Sequence, residues 1–176
     1  MSHQGVSAGG FALVELMTAL SVAAVLVVLA APALRDLIGG QRLALSTQTL
    51  VGSLSYARSE AIRRSTRVTV CPSMNESTCD AGSAWNRGWI VFVDLDGDGQ
   101  ASEGETVLRV TGKQSDEIEI GGNSLSNVSY GPDGKARKPS GAWQFGSIYL
   151  CGTQRSKRIV LSASGRVRQE HSQCVQ

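Results

Sequence analysis

From Phe11 to Leu34 the chain runs through 24 residues whose only strongly polar member is Glu15. Such a run has no polar face, and as a helix it would reach about 36 Å, enough to cross a bilayer. Beyond Pro32 the pattern becomes one-sided. Leu43, Leu50, Leu54, Ala57 and Ala61 recur at three-, four- and seven-residue steps, which predicts one apolar stripe on a helix whose Arg42, Arg58 and Arg63 stay solvated. Together the two patterns predict one long helix from about Phe11 to Arg64, with Pro32 and the Gly39-Gly40 pair as candidate kinks. From Arg67 onward the texture changes to short β-branched runs separated by Gly, Asn, Asp and Ser, the signature of strands and turns. The strand candidates are 67–71, 88–94, 106–110, 117–120, 127–131, 147–151, 158–162 and 165–169, and GKARKPSG (134–141) is the most loop-like connection. Helix first and strands afterwards predicts an α+β fold. It divides into a transmembrane half-helix (11–34), an amphipathic half-helix (35–66) and a β-rich head with an antiparallel sheet (67–176).

Glu15 is the anomaly in the apolar run. An ionised group at mid-membrane depth costs roughly 2.5 kcal/mol or more, so it needs a partner. The surrounding residues are GGFALVELM, in which Gly10, Phe11 and Glu15 form a G-F-x-x-x-E pattern leading directly into the apolar helix. This pattern resembles the processing site of type IV prepilins and type II secretion pseudopilins. The resemblance implies that residues 1–10 are a leader, that a prepilin peptidase cuts between Gly10 and Phe11, and that Phe11 is then N-methylated. It also implies that Glu15 meets the N-terminal amine of a neighbouring subunit during filament assembly. Helical rise would put Glu15 only about 6 Å from the new terminus, and an opposite charge there lowers the cost of burying it. The leader MSHQGVSAGG carries no Lys or Arg, unlike most leaders of that family. A cleaved secretory signal is a poorer reading, because the run is too long and lacks a charged n-region, although Ala31 and Ala33 imitate a cleavage site. A plain membrane anchor leaves Glu15 unexplained.

The segments CPSMNESTCDAGSAWNRGWIVFVDLDGDGQ and YLCGTQRSKRIVLSASGRVR narrow the resemblance to the GspH/FimT branch of these proteins. It implies a pilin-like fold, a single-pass inner-membrane anchor with a periplasmic head, and later residence in a pilus or pseudopilus beside other pilins.

At 176 residues the chain has room for one modest domain and an anchor. Four cysteines, Cys71, Cys79, Cys151 and Cys174, follow a membrane-inserting segment, and an even count in exported material reads as two disulfides with three possible connectivities. Only seven residues separate Cys71 from Cys79, which favours that pair and leaves Cys151 to join Cys174. CxxC spacing is absent, which argues against structural zinc. Trp85, Trp89 and Phe92 read as core and sheet packing rather than a ligand platform.

DLDGDGQASEGE (94–105) places Asp94, Asp96, Asp98, Gly99 and Glu105 on the spacing of an EF-hand calcium loop, the order in which carboxylates surround a hard cation. The flanks WIVFVD and TVLRV are strand-like rather than helical, and glycines among aspartates also make a metal-free hairpin turn. Calcium is therefore the one cofactor the sequence raises.

The formal net charge is only +2, but residues 135–176 hold eight Lys/Arg against one acid, Glu170. A basic end on a near-neutral chain points to an anionic partner. After the Ser164-Gly165 turn signal, strand alternation projects Arg166 and Arg168 to one side and Val167 to the other. Arg155, Lys157 and Arg158 before the turn, and Lys135, Arg137 and Lys138 in the loop, are candidates to widen the patch. A solvated basic face that keeps the protein soluble is the competing reading. Gly165, Arg166, Val167 and Arg168 resemble the G-R-x-R motif of FimT-type minor pilins, which implies backbone contact with double-stranded DNA and a role in natural transformation. A structural minor pilin of a priming or tip complex, or a GspH-like secretion pseudopilin, would share every feature except DNA binding. An enzyme is disfavoured: His3 lies in the leader, His171 lies in the tail, the proposed disulfides take up the thiols, and no catalytic constellation stands out. Mass spectrometry of the protein from cell envelopes is expected to find a chain beginning at methylated Phe11. Retention of the first ten residues in a host with active peptidase contradicts the processing assignment.

Overall fold

A computed structural model of the protein describes residues 13–80, 82, 85–122 and 125–174. Gly10 and Phe11 lie outside the described residues. Helix α1 spans Leu13–Arg64 and runs through Pro32 and Gly39-Gly40 as one element. The chain divides into two compact units, one ending at Ile38 and the other beginning at Gly39.

In the first unit α1 is long and apolar enough to cross a membrane. Its large side chains, from Leu13 and Val14 to Leu29 and Leu34, are all exposed. Apolar surface on every side suits a lipid or protein environment rather than water. Glu15 sits in the first turn, and its carbonyl accepts the Thr18 hydroxyl at 2.9 Å.

In the second unit α1 buries the stripe expected from its spacing: Leu50, Leu54, Ala57 and Ala61 are fully covered and Leu43 nearly so. Eight strands follow: β1 (Val68–Pro72), β2 (Trp89–Val93), β3 (Val107–Thr111), β4 (Glu119–Gly122), β5 (Val128–Tyr130), β6 (Gly146–Cys151), β7 (Ser156–Leu161) and β8 (Val167–Ser172). Each overlaps a segment marked by the β-branched runs, with β4 and β8 starting two residues later and β7 two residues earlier than expected. They form two four-stranded sheets rather than one, ordered β3-β2-β1-β5 and β4-β6-β7-β8. Every pairing is antiparallel. The division arises because β4 leaves its neighbour in sequence to pair with β6, and β5 returns to the free edge of β1.

One core joins the helix stripe to Val68, Val70, Trp89, Val91 and Tyr130 of the first sheet and to Ile120, Ile148, Leu150, Ile159 and Leu161 of the second. Trp85, Trp89 and Phe92 are completely buried, and Trp85 Nε1 donates to the Leu125 carbonyl at 3.1 Å. β1 and β2 are buried on both faces, because a second cluster of Cys71, Ile90 and Phe92, with Cys79, Ala101 and Val107, covers the side away from the helix. The Cys71–Cys79 disulfide lies in that cover, and Cys151–Cys174 ties the tail to the end of β6.

Charged residues on α1 are less free than the pattern suggested. Arg42 meets Glu117 at 2.7 Å. Arg63 and Arg64 close on the nearly buried Glu60 at 2.5 and 2.6 Å, and their hydrogen bonds hold its carboxyl down to about 2. Arg58 turns inward to the head loops. Leu54→Ala opens a void under both sheets and is expected to cost about 2–5 kcal/mol of stability. Denaturant unfolding in detergent micelles followed by tryptophan fluorescence checks this, and a loss under about 1 kcal/mol contradicts the shared core.

Candidate nucleic-acid interface

The basic residues named from the sequence separate into groups once the backbone is traced. β7 and β8 are joined by a tight turn in which Gly165 N–H donates to the Ser162 carbonyl (2.8 Å), Ser162 N–H to the Arg166 carbonyl (3.0 Å), and Arg166 N–H to Ser162 Oγ (3.2 Å). Gly165 has φ +77, and a Cβ there would come within 2.1 Å of the Gly134 carbonyl oxygen. Only glycine allows so close an approach. The turn therefore presses against the 131–138 loop, and Ala136 N–H donates to the Ala163 carbonyl at 3.2 Å.

Arg58 fastens this junction. Its Nε donates to the Gly134 carbonyl at 2.9 Å and its Nη2 to the Ser164 carbonyl at 3.2 Å. A planar guanidinium fork can hold two acceptors in fixed geometry. Lys135, Arg137 and Lys138 are thereby carried on a loop that abuts the turn bearing Arg166.

Val167 packs on the core, so alternation directs Arg168 and Glu170 to the outer face of the second sheet, with Arg166 on the same side just before the strand begins. β8 starts at Val167 rather than at Gly165, because Gly165 and Arg166 close the turn. Arg166 is exposed and has no carboxylate partner among the described residues. Arg168, with a 70 % exposed side chain, lies 3.3 Å from Glu170. Arg158 stands opposite Glu170 in the β7–β8 register and pairs with it. That contact, followed by the charge of Arg158 and then Arg168, holds the Glu170 carboxyl below its ordinary range. Part of the positive charge expected of Arg158 is thus neutralised locally.

Two expected members of the patch lie elsewhere. Lys157 pairs with Leu150 and His171 in register, and alternation puts it on the sheet face opposite to Arg158. Arg155 belongs to the β6–β7 hairpin turn, where its guanidinium lies over Gly40: a Cβ at that glycine would sit 3.7 Å from Nη1. Gly40 is eighteen residues before Arg58 on α1, about 27 Å along the helix. Arg155 is therefore remote from the junction of the two basic loops.

The structure adds aromatic side chains that strand and charge patterns did not single out. Trp143 and Phe145 are exposed, at 46 % and 66 %. The Arg137 guanidinium lies 4.2 Å from the Trp143 ring centroid and Lys135 Nζ lies 5.5 Å from it, both within cation–π range. Asp133 reaches Arg137 Nη2 at 3.3 Å and Lys135 Nζ at 3.7 Å. Its carboxyl is held low chiefly by the Lys135 amide, with Arg137 adding to the effect. The sequence signal was a tryptophan standing outside any apolar alternation, just after a basic loop. The resulting edge combines cations with a half-exposed tryptophan that Arg137 stacks on, a chemistry suited to phosphate.

The acidic loop between β2 and β3 is also assembled in part. Asp94, Asp96 and Asp98 bring carboxylate oxygens within 4.8 Å of one another, Asp94 buried and the others exposed. Burial pushes the Asp94 carboxyl upward, against the Thr69 hydrogen bond, the Gly97 amide and Arg67. Glu105 is outside that cluster: its Oε1 accepts Leu95 N–H at 2.6 Å and its Oε2 accepts Ser102 N–H at 3.0 Å.

The sequence profile of the family described as type II transport protein GspH matches residues 46–165, more than half of the chain. The chain belongs to the GspH family. The matched span takes in the stripe of α1 from Leu50 to Ala61 and all of β1 to β7, and it ends at Gly165. No curated protein matches this GspH-family chain in sequence. Among solved structures, the type IV minor pilin FimU of Pseudomonas aeruginosa (strain PAO1) in space group P21 superposes with a TM-score of 0.58 at 18 % identity, covering 74 % of this chain and 89 % of that one. The same pilin in space group P65 gives a TM-score of 0.51 at 17 % identity, covering 70 % and 88 %. At those identities the likeness establishes the fold, which is pilin-like. Family and fold are those of structural, non-enzymatic proteins.

Proposed function

We propose that this chain is a minor type IV pilin that binds extracellular double-stranded DNA without sequence preference and serves its uptake in natural transformation. The observation that carries this reading is the joined basic edge: Arg166 and Arg168 beside the loop of Lys135, Arg137 and Lys138, with Trp143 exposed among them. Contacts of this kind bind phosphate and carry no base code, so affinity should be modest and fall steeply with salt. The apolar half of α1 anchors the subunit in the inner membrane with a periplasmic head. A prepilin peptidase frees Phe11, and Glu15 then receives the terminal amine of an adjoining pilin as the filament grows. A pilus carrying the basic edge outward would catch DNA and draw it in on retraction.

The family description favours a second reading, a pseudopilin of a type II secretion machine whose head contacts other pseudopilins. A deletion strain separates the two: loss of transformability supports the first, whereas intact transformation with failed protein export supports the second.

Gel-shift titration of the protein in detergent tests the edge itself. Arg166→Ala with Arg168→Ala is expected to fold normally, because both side chains are exposed, and to lose about tenfold or more in DNA retention, the log–log salt slope falling by about 0.9 for each phosphate contact removed. Arg155→Ala with Lys157→Ala should retain near-parental binding. If the first pair shifts DNA like the parent, the interface is misplaced.

A further inference from the structure

The β2–β3 connection holds an arrangement that DNA capture does not use. Asp94, at the end of β2, is 1 % exposed. Its Oδ2 accepts the Thr69 hydroxyl at 2.7 Å, and its Oδ1 is buried with no donor in hydrogen-bond geometry, the Gly97 amide acting on the carboxyl without closing a bond to that oxygen. A buried carboxylate oxygen without a donor is a costly group that native folds rarely leave unmatched. Asp94 belongs to the cluster with Asp96 and Asp98, and among the described residues none of these three carboxylates forms a salt bridge. The Arg67 guanidinium, whose charge reaches Asp94, donates its hydrogen bond to the Gly97 carbonyl at 2.9 Å.

We propose that this loop binds one calcium ion through Asp94, Asp96 and Asp98. Calcium takes oxygen ligands at about 2.3–2.6 Å, so two oxygens on opposite sides of one ion stand about 4.6–5.2 Å apart. The three aspartates, whose ligand oxygens are gathered within 4.8 Å of one another, match that span. Gly99, at φ +78, supplies the sharp bend that such a loop needs at its sixth position. Glu105, at the twelfth position, braces the amides of Leu95 and Ser102, leaving carbonyls and water to complete the shell.

The ion would stiffen more than its own loop. Thr69 links Asp94 to Ser129, 2.7 Å away, whose amide donates to Gln144 Oε1 at 2.9 Å. Asn127 Nδ2 donates to the Gly99 carbonyl at 2.9 Å, and a Cβ at Gly99 would sit 3.3 Å from Pro139. Calcium thus braces β5 and the segments on either side of Trp143 through the Thr69–Ser129–Gln144 chain and the contacts of Gly99. Its binding does not depend on the DNA reading.

The test uses the full chain in detergent, stripped with EGTA and titrated with calcium chloride by calorimetry, with thermal unfolding measured in both conditions. The expected result is saturable binding of about one ion per chain, with a dissociation constant on the order of 0.1–1 mM as in extracellular modules, and a higher Tm with calcium. Asp96→Asn with Asp98→Asn alters only exposed carboxylates and should unfold like the parent in EGTA while binding at least about tenfold more weakly. Should that double variant fail to fold, Asp96→Asn alone carries the same expectation. No saturable heat and no Tm change in the parent, a folded variant that binds as tightly as the parent, or magnesium binding as tightly as calcium would each overturn the assignment.

Discussion

Arg58 is where the helix, the second sheet and the 131–138 loop are made into one surface. Its fork donates to carbonyls of Gly134 and Ser164, which lie 76 and 106 residues further along the chain. Both are main-chain acceptors at the crowded approach of two loops, and the approach itself requires glycine at 165 and at 134, where a Cβ would strike the Gly134 carbonyl and Ile62 respectively. Charge-assisted hydrogen bonds from one planar group fix direction as well as distance. The basic loop and the basic turn share an edge because one helix residue holds both.

The helix that presents Arg58 meets two different surroundings. Its first half exposes apolar side chains on every side, while its second half gives up all but one stripe to solvent and charge. That stripe touches both sheets, and so fixes which end of each hairpin lies near which turn of α1. The β6–β7 turn falls beside Gly39 and Gly40, with Thr153 and Arg155 at van der Waals distance from where their side chains would start. The β7–β8 turn falls beside Arg58. An antiparallel hairpin sequence laid along a helix must send successive turns to opposite ends, which is why Arg155 and Arg166 cannot serve one patch.

Much of this was legible in the residues. The helix stripe follows from spacing, the eight strands from β-branched runs and the Cys71–Cys79 bridge from its short loop, because each depends on neighbours close in sequence; Cys151–Cys174 then follows by elimination. The division into two sheets was not legible, since β5 finds β1 across the intervening β2, β3 and β4. Nor was the inward turn of Arg58, because a polar helix position looks solvated until the loops it touches are placed. With the strand read as beginning at 158, Lys157 falls outside it beside Arg158 and its facing is open. The start of β7 at Ser156 brings Lys157 under strand alternation and turns it to the other face. Trp143 belongs to no strand, and the bridge that sets it beside Arg137 joins residues that no local pattern pairs.

The most direct measurement is hydrogen exchange of Arg58→Met, which keeps the apolar stem and removes the fork. If the guanidinium joins the two loops, amides of residues 134–136 and 163–166 should exchange at least about tenfold faster, while the strands of both sheets keep parental protection. Parental protection in both loops would contradict the account, for the basic edge would then be held by something other than Arg58.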